Sequence, residues 1–366
     1  MDDVSFAVIL TRGAERANRA LESIARQGAA RELLLVLNEP DDPMRAVADS
    51  WVARGAEVLH DGPDIGVTPS YNLALRAADG EFVCTVHEDS ELAPGCVERL
   101  RTTLGEHPEA GSVGPRIDIP GRGSADANTI WRDGAASGDA DEGGPELRAT
   151  DYVGTSCLLL RRSAALAVGG FDLRFFPAIY GDVDLAVELW EAGWAVLVDR
   201  RALNVHHSGA MVDPDRGPTR SRRARHFLLD RNRRRFVEKH EGWLANQPSR
   251  ADAVSALQPS TDDLARARAG AAARWEALDG RSPKRDARRR PVEVPDDLAA
   301  FAFERRRDFE REMIAHLMER EHELTLEANR VHEAYAELHH ENDRLHAAYA
   351  QLHREYEHLA SGESRA

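Results

Sequence analysis

The chain has 366 residues, 42% of them hydrophobic and 30% charged, with 63 acidic against 48 basic side chains and a formal net charge of −15. That much apolar material can fill a sizeable core and more than one unit, while the acidic balance excludes generic nucleic-acid binding, which depends on counterions released by Lys and Arg. Two aspartates follow Met1 where a secretory leader would be basic, and no run reaches the roughly 18 apolar residues of a membrane span, so a cytoplasmic protein is expected.

In chain order, six apolar runs read as strands: SFAVIL (5–10), ELLLVL (32–37), AEVLH (56–60), EFVCTV (81–86), SCLLL (156–160) and WAVLVD (194–199). Between the first of them lie RANRALESIARQG, PMRAVADSWVARG, TPSYNLALRAADG and PGCVERLRTTLGEH, each with apolar residues at helical spacing and several ending near glycine. Strand and helix in alternation predict an α/β unit over residues 1–243, with a mostly parallel sheet covered on both faces and ligands bound beyond the carboxyl ends of its strands. Residues 118–150, rich in Gly and Asp, are expected as a long polar loop. Cys84, Cys96 and Cys157 are odd in number and lack metal-ligand spacing, which predicts reduced packing residues.

Five prolines punctuate residues 244–297 around one helical pattern, DDLARARAGAAARWEAL, and this stretch is expected as a linker. Beyond it, Leu317, Leu324, Val331, Leu338, Leu345, Leu352 and Leu359 recur every seven residues, with Ile314, Ala328, Tyr335, Asn342, Tyr349 and Tyr356 three residues before them. This heptad predicts a coiled-coil helix over 298–361, and a single Asn at one seam position favours a parallel homodimer in one register. Glu321 at a seam position weakens the early heptads. His332, His339, His346 and His353 all fall on the flank of the seam, where His332 and His346 would face Glu327 and Glu341 of a second copy, either as ion pairs or as solvated rim residues.

The stretch EFVCTVHEDSEL carries an apolar run straight into His87, Glu88, Asp89 and Glu91. Such a set at a strand end is costly to desolvate unless a cation, water or donors meet it, and its oxygens and imidazole suit a divalent ion. Asp182 and Asp184 open a helix in GGFDLRFFPAIYGDVDLAVELWEAGW, where carboxylates serve either as caps or as catalytic groups. His206 and His207 end a strand, so one of them is expected in the site and the other outside it. Asn38, just after the second strand, reads either as a nucleotide contact or as a turn former, and the stretch from Asp64 and Gly66 to Asn72 reads either as part of the pocket or as a capped helix. Arg220, Arg222, Arg223 and Arg225 form either a lid over a phosphate-bearing ligand or a basic patch at the inner face of a membrane.

In that order, SFAVILTR, LESIARQG, LLLVLNEPDD, DIGVTPSYNLALRAADGEFVCTVHED, YVGTSCLLLRRSAALAVGGFDLRFF, YGDVDLAVELWEAGW, ALNVHHSGA and RNRRRF resemble the family 2 glycosyltransferases of GT-A fold, especially rhamnosyltransferase-like members, over about residues 4–240. The resemblance implies an inverting transfer from a nucleotide-diphosphate sugar to a hydroxyl of a glycan or lipid-linked acceptor in polysaccharide biosynthesis, with a divalent ion, Mg²⁺ or Mn²⁺, as cofactor. It places Asp182 as the general base, Asp89 and His206 at the metal, and Asn38 and Asp64 near the nucleotide pocket; beside these, Glu91 is expected as a further metal ligand and Thr11, Gly66, Asn72, His87, Asp184, Arg220 and Arg222 around the substrates. His87 stands where the family has its first metal-motif aspartate, Gly181 where it has a glutamate, and Thr11-Arg12 where a Pro-x-x-Asn turn is common. Those departures leave a second expectation open: a catalytically weak sugar-nucleotide-binding scaffold that recruits partners through its coiled coil.

Overall fold

The computed structural model describes residues 2–28, 30–140, 143–207, 222–249, 260–278 and 291–362. It divides into two compact units, Met1–Arg307 and Asp308–Ala366. The first unit begins as an alternation of strand and helix: β1 (Val4–Leu10), α1 (Ala14–Ala25), β2 (Glu32–Asn38), α2 (Asp42–Val52), β3 (Glu57–Gly62), α3 (Val67–Ala77), β4 (Phe82–His87), β5 (Ser90–Leu92) and α4 (Cys96–Glu106). It continues through β6 (Ala110–Ile119), β7 (Gly123–Ala125), β8 (Ala127–Ile130), β9 (Ala136–Asp139), β10 (Leu147–Ala149), β11 (Cys157–Arg161) and α5 (Arg162–Val168). Helix α6 (Gly181–Glu191) and strand β12 (Ala195–His206) follow, then α7 (Arg222–Lys239), α8 (Glu241–Leu244), α9 (Thr261–Glu276) and α10 (Leu298–Gly362), which runs on into the second unit.

One mixed sheet organises the first unit, in the order β10-β12-β6-β11-β4-β1-β2-β3, with β5 added to β12 and β7 to β6. β1 pairs in parallel with β2 and β4, β2 with β3, and β6 with β12, whereas β11 runs antiparallel between β4 and β6. Every residue of β1 is buried, as a central strand with both faces covered requires. The apolar residues of β1, β2, β4 and β11 merge with those of α1, α3 and α4 into one core that also encloses all three free cysteines. α2 starts where Asp41 accepts the amide of Met44 at 2.9 Å, with a proline in the first turn.

Two expectations are corrected. β6, AGSVGPRIDI, lies in the middle of the sheet although no apolar run marks it, and residues 118–150 carry β7 to β10 instead of a featureless loop. Within 118–150, Asp126 is fully buried and held by Arg148 at 2.6 Å and Arg200 at 2.7 Å, so polar composition here marks an internal ion network. In the stretch read as a linker, α9 is capped by Ser260 and Asp263, and Trp275 donates to Glu109 at 3.0 Å. Further on, the Glu293 carbonyl accepts from Asn72 at 2.9 Å, and Phe301 meets Phe176 edge to face at 5.6 Å.

The second unit is helical. Leu317, Leu324, Val331, Leu338, Leu345 and Leu352 are each solvent-exposed, Leu338 at 70%, and the flank histidines His339 and His353 contact Tyr335 and Tyr349 one turn earlier.

Candidate active site

β4 delivers His87 to the carboxyl edge of the sheet, and β12 delivers His206 to the same edge through β5, whose Ser90 is paired with His206. The His207 amide donates to the Asp89 carbonyl at 2.9 Å, which closes the turn between the two strands. As a result His206 Nε2 lies 3.1 Å from Asp89 Oδ1, and the His87 and His206 rings meet edge to face at 5.4 Å. Ligand atoms of His87, Asp89 and His206 all lie within 4.8 Å of one another, and one carboxylate with two imidazoles is a donor set that fits a divalent transition ion. Burial, with His206 beside it, pushes the His87 imidazole down to about 4, so at neutral pH it is uncharged and keeps a lone pair for a ligand.

The strand alternation also separates the two histidines. His207 turns away and meets Glu91 at 2.9 Å, and Glu91 additionally pairs with Arg19 at 3.0 Å. Glu91, expected among the metal ligands, therefore lies apart from that group, and His87, expected on the substrate side, stands within it.

Asp182 is the second residue of α6. The two residues before that helix, Ile179 and Tyr180, have φ of 69° and 73°, a conformation that costs about 1–3 kcal/mol per non-glycine residue. Asp182 Oδ1 accepts the Val183 amide at 3.0 Å, and the nearby backbone, Thr155 included, favours the charged form; a Cβ on Gly154 would lie 3.7 Å from Asp182 Oδ2. Burial outweighs these bonds and raises the carboxyl above the ordinary carboxylate value. The Thr155 hydroxyl meanwhile sits 3.0 Å from His87 Nε2, and the Ser156 carbonyl accepts the His87 amide at 3.2 Å. The loop before β11 thus lies beside both His87 and Asp182. Tyr71 senses both carboxylates: burial raises its phenol, Cys84 adds to the shift, and the Asp182 and Asp89 carboxylates add further. Neither Thr155 nor Tyr71 had been singled out, because a hydroxyl in YVGTS or an aromatic on a helix carries no spacing signal of its own.

The other sequence candidates make contacts within the protein. Asn38 donates to Ser70 Oγ at 3.1 Å, and Asp64 accepts the Gly66 amide at 2.9 Å. Gly66 has φ 79°, and a Cβ there would meet the Pro177 carbonyl at 2.8 Å, so only glycine lets α3 approach the 176–180 turn this closely. Asn72 both donates to the Phe171 carbonyl and accepts its amide, each at 2.8 Å. Asp184 faces Lys239 at 2.6 Å and His240 at 2.7 Å. Asp184, Glu188 and His240 have metal-ligand spacing too, but the Lys239 ammonium already occupies that position, 3.0 Å from Glu188. Arg222 opens α7, and Arg220 lies outside the described residues.

Thr11 donates its amide to Glu88 at 2.6 Å and its hydroxyl to the other carboxylate oxygen. Burial nevertheless pushes Glu88 up to about 7 from an ordinary 4.5. The folded chain keeps a proton that the unfolded chain releases, so this contribution to stability is complete below pH 4.5 and lost as pH rises through about 7. In EDTA, urea melts of the wild type are expected to lose on the order of 3 kcal/mol across that window, and Glu88→Gln to flatten the loss. Equal pH dependence in both proteins would remove Glu88 as its source.

Residues 5–166 match the family described as Glycosyl transferase family 2. The N-acetylglucosaminyl-diphospho-decaprenol L-rhamnosyltransferase of Mycobacterium tuberculosis is 31% identical over 186 residues, 44% of this chain and 57% of that protein. The O-antigen biosynthesis protein RfbC of Myxococcus xanthus is 27% identical over 202 residues, 51% of this chain and 16% of that protein. The chain thus spans little more than half the length of the first relative and a smaller share of the second. GalNAc-T7, solved with UDP, GalNAc and Mn²⁺, superimposes with a TM-score of 0.52 at 12% identity over 64% of this chain and 47% of that one, a likeness of fold.

Proposed function

With residues 5–166 matching the family 2 glycosyl transferases, in a GT-A fold, we propose that the chain is an inverting glycosyltransferase. It moves a sugar from a nucleoside-diphosphate donor to a hydroxyl of a glycan or lipid-linked acceptor. The observation that carries this reading is the loop before β11, where the Thr155 hydroxyl lies 3.0 Å from His87 and a Cβ on the preceding Gly154 would lie 3.7 Å from Asp182 Oδ2, so that one short loop adjoins both a cation-binding group and a raised carboxylate.

In the proposed reaction the acceptor oxygen attacks the anomeric carbon, the bond from that carbon to the diphosphate oxygen breaks, and Asp182 takes the acceptor proton as the new bond forms. His87, Asp89 and His206 would hold a divalent cation, which when bound would supply positive charge against the diphosphate. Asp182, half-buried and raised, is a stronger base than a solvated carboxylate. The decaprenol-linked substrate in the mycobacterial relative's name supports a lipid-linked acceptor. Among the described residues no helix is long and apolar enough to cross a membrane; an arginine-rich sequence such as that from Arg220 to Arg225 suits peripheral contact with the surface that holds such an acceptor. A panel of sugar nucleotides with Mn²⁺ tests the proposal. Nucleoside diphosphate release from one donor supports it, donor binding without release across a broad acceptor screen favours the scaffold reading, and neither binding nor release rejects both.

The same proposal includes a parallel homodimer through the second unit. An exposed apolar stripe at seven-residue spacing, with Asn342 in the seam, is self-complementary in one register. Each seam leucine buried by a second copy contributes about 1.5–3 kcal/mol. Sedimentation of the full chain is expected to give a dimer, and Leu338→Asp with Leu345→Asp a monomer. A monomeric wild type, or a Leu338→Cys chain that fails to cross-link to itself on oxidation, ends the parallel-dimer reading.

A further inference from the structure

We infer that Asn232 is a positioning residue for Asp182: its side chain fixes the turn from which α6 starts, and through that turn the direction of the Asp182 carboxylate. The inference rests on the reading of Asp182 as the base. Ile179 and Tyr180 sit at φ 69° and 73° immediately before α6, in a region that L residues resist and β-branched ones resist most. Such a conformation persists only where its surroundings over-determine it.

Asn232 supplies that constraint. It is 0% exposed on α7, and its Nδ2 donates to the carbonyls of Ala178 and Ile179 at 2.8 Å each, with the Phe175 carbonyl at 3.4 Å. These carbonyls belong to the two peptide planes flanking Ile179, so holding both sets its backbone dihedrals and the entry into Tyr180. On the other side of the amide, Arg231 Nε donates to Asn232 Oδ1 at 3.1 Å, which fixes which way the group faces, and the Arg231 guanidinium also bonds the Phe176 carbonyl. The Tyr180 carbonyl then accepts the Asp184 amide at 2.9 Å as α6 begins, with Asp182 between them in sequence. Asn232 touches neither Asp182 nor the His87–Asp89–His206 group in any of these bonds. Its effect on the reaction is therefore transmitted through the turn.

Asn232→Asp keeps the shape but sets carboxylate oxygens against carbonyl oxygens. It is expected to lower kcat for nucleoside diphosphate release roughly 100-fold, the loss that about 1 Å of misplacement causes, with the donor KM changed by no more than about twofold. Unchanged kcat, or a raised donor KM at unchanged kcat, overturns the inference. Should the Asp variant fail to fold, Asn232→Ser, which keeps a hydroxyl donor of shorter reach, is judged by the same split. If the wild type releases nucleoside diphosphate from no donor, the reading of Asp182 fails instead. Hydrogen exchange then tests the clamp alone: amides of residues 179–184 are expected to exchange about tenfold faster in the variant while those of β1 and β4 stay protected, and unchanged exchange at 179–184 overturns it.

Discussion

Asp182→Asn is expected to leave the donor bound and to cost about 1,000-fold in turnover, in the middle of the range that a positioned general base contributes. The amide keeps the size of the carboxyl group and its oxygen can still accept from Val183, so the fold around α6 and the stabilisation of the protein by nucleoside diphosphate with Mn²⁺ should both survive. What is lost is the ability to take a proton from the acceptor hydroxyl. The pH profile separates this from a general weakening. A base works deprotonated, so wild-type kcat falls as pH drops through the folded-state pKa of Asp182, and burial places that limb above the ordinary carboxylate range. The residual rate of the variant should lack the limb. A variant with half the wild-type rate, or one that keeps the acid limb, would remove Asp182 from the reaction.

The sequence made the frame of this site legible wherever apolar periodicity and strand ends coincide. β1, β2, β4 and β11 are near-continuous apolar runs because both of their faces are covered. The rule that adjacent strand residues face opposite ways anticipated the separation of His206 from His207. β6 escaped because it trades side chains for close approach: Gly114 lies under Val153, where a built Cβ would come within 2.1 Å of a methyl group. That thin spot lets the loop carrying Thr155 lie against the sheet, so the residue that hides the strand also makes room for the site. Asn38 and Asn72 were read toward substrate because an amide side chain satisfies a ligand and a backbone equally well, and only the fold shows that Ser70 and Phe171 already meet them. The clamp by Asn232 depends on a carbonyl pair about fifty residues away, which no local pattern encodes.

Asp89→Ala is expected to abolish the response to Mn²⁺ and to cost on the order of 4 kcal/mol in transition-state stabilisation, about 1,000-fold in rate. Asp89 is the only carboxylate in the group of three, so its loss leaves two imidazoles and no negative charge to offset a divalent ion. Mn²⁺ alone should raise the melting temperature of the wild type and not that of the variant, and EDTA should stop turnover until Mn²⁺ is restored. The mixed nitrogen and oxygen donors favour Mn²⁺ over Mg²⁺, which prefers oxygen and keeps its waters. Glu91→Ala supplies the contrast. Glu91 is also a carboxylate, two residues away, but it is spent on Arg19 and His207 near the surface, where such pairs are worth about 0–1 kcal/mol. The Mn²⁺ response should therefore persist in Glu91→Ala. If instead the Glu91 variant loses the ion and the Asp89 variant keeps it, the ligand group built by β4, β5 and β12 is the wrong one, and with it the account of how the diphosphate leaves.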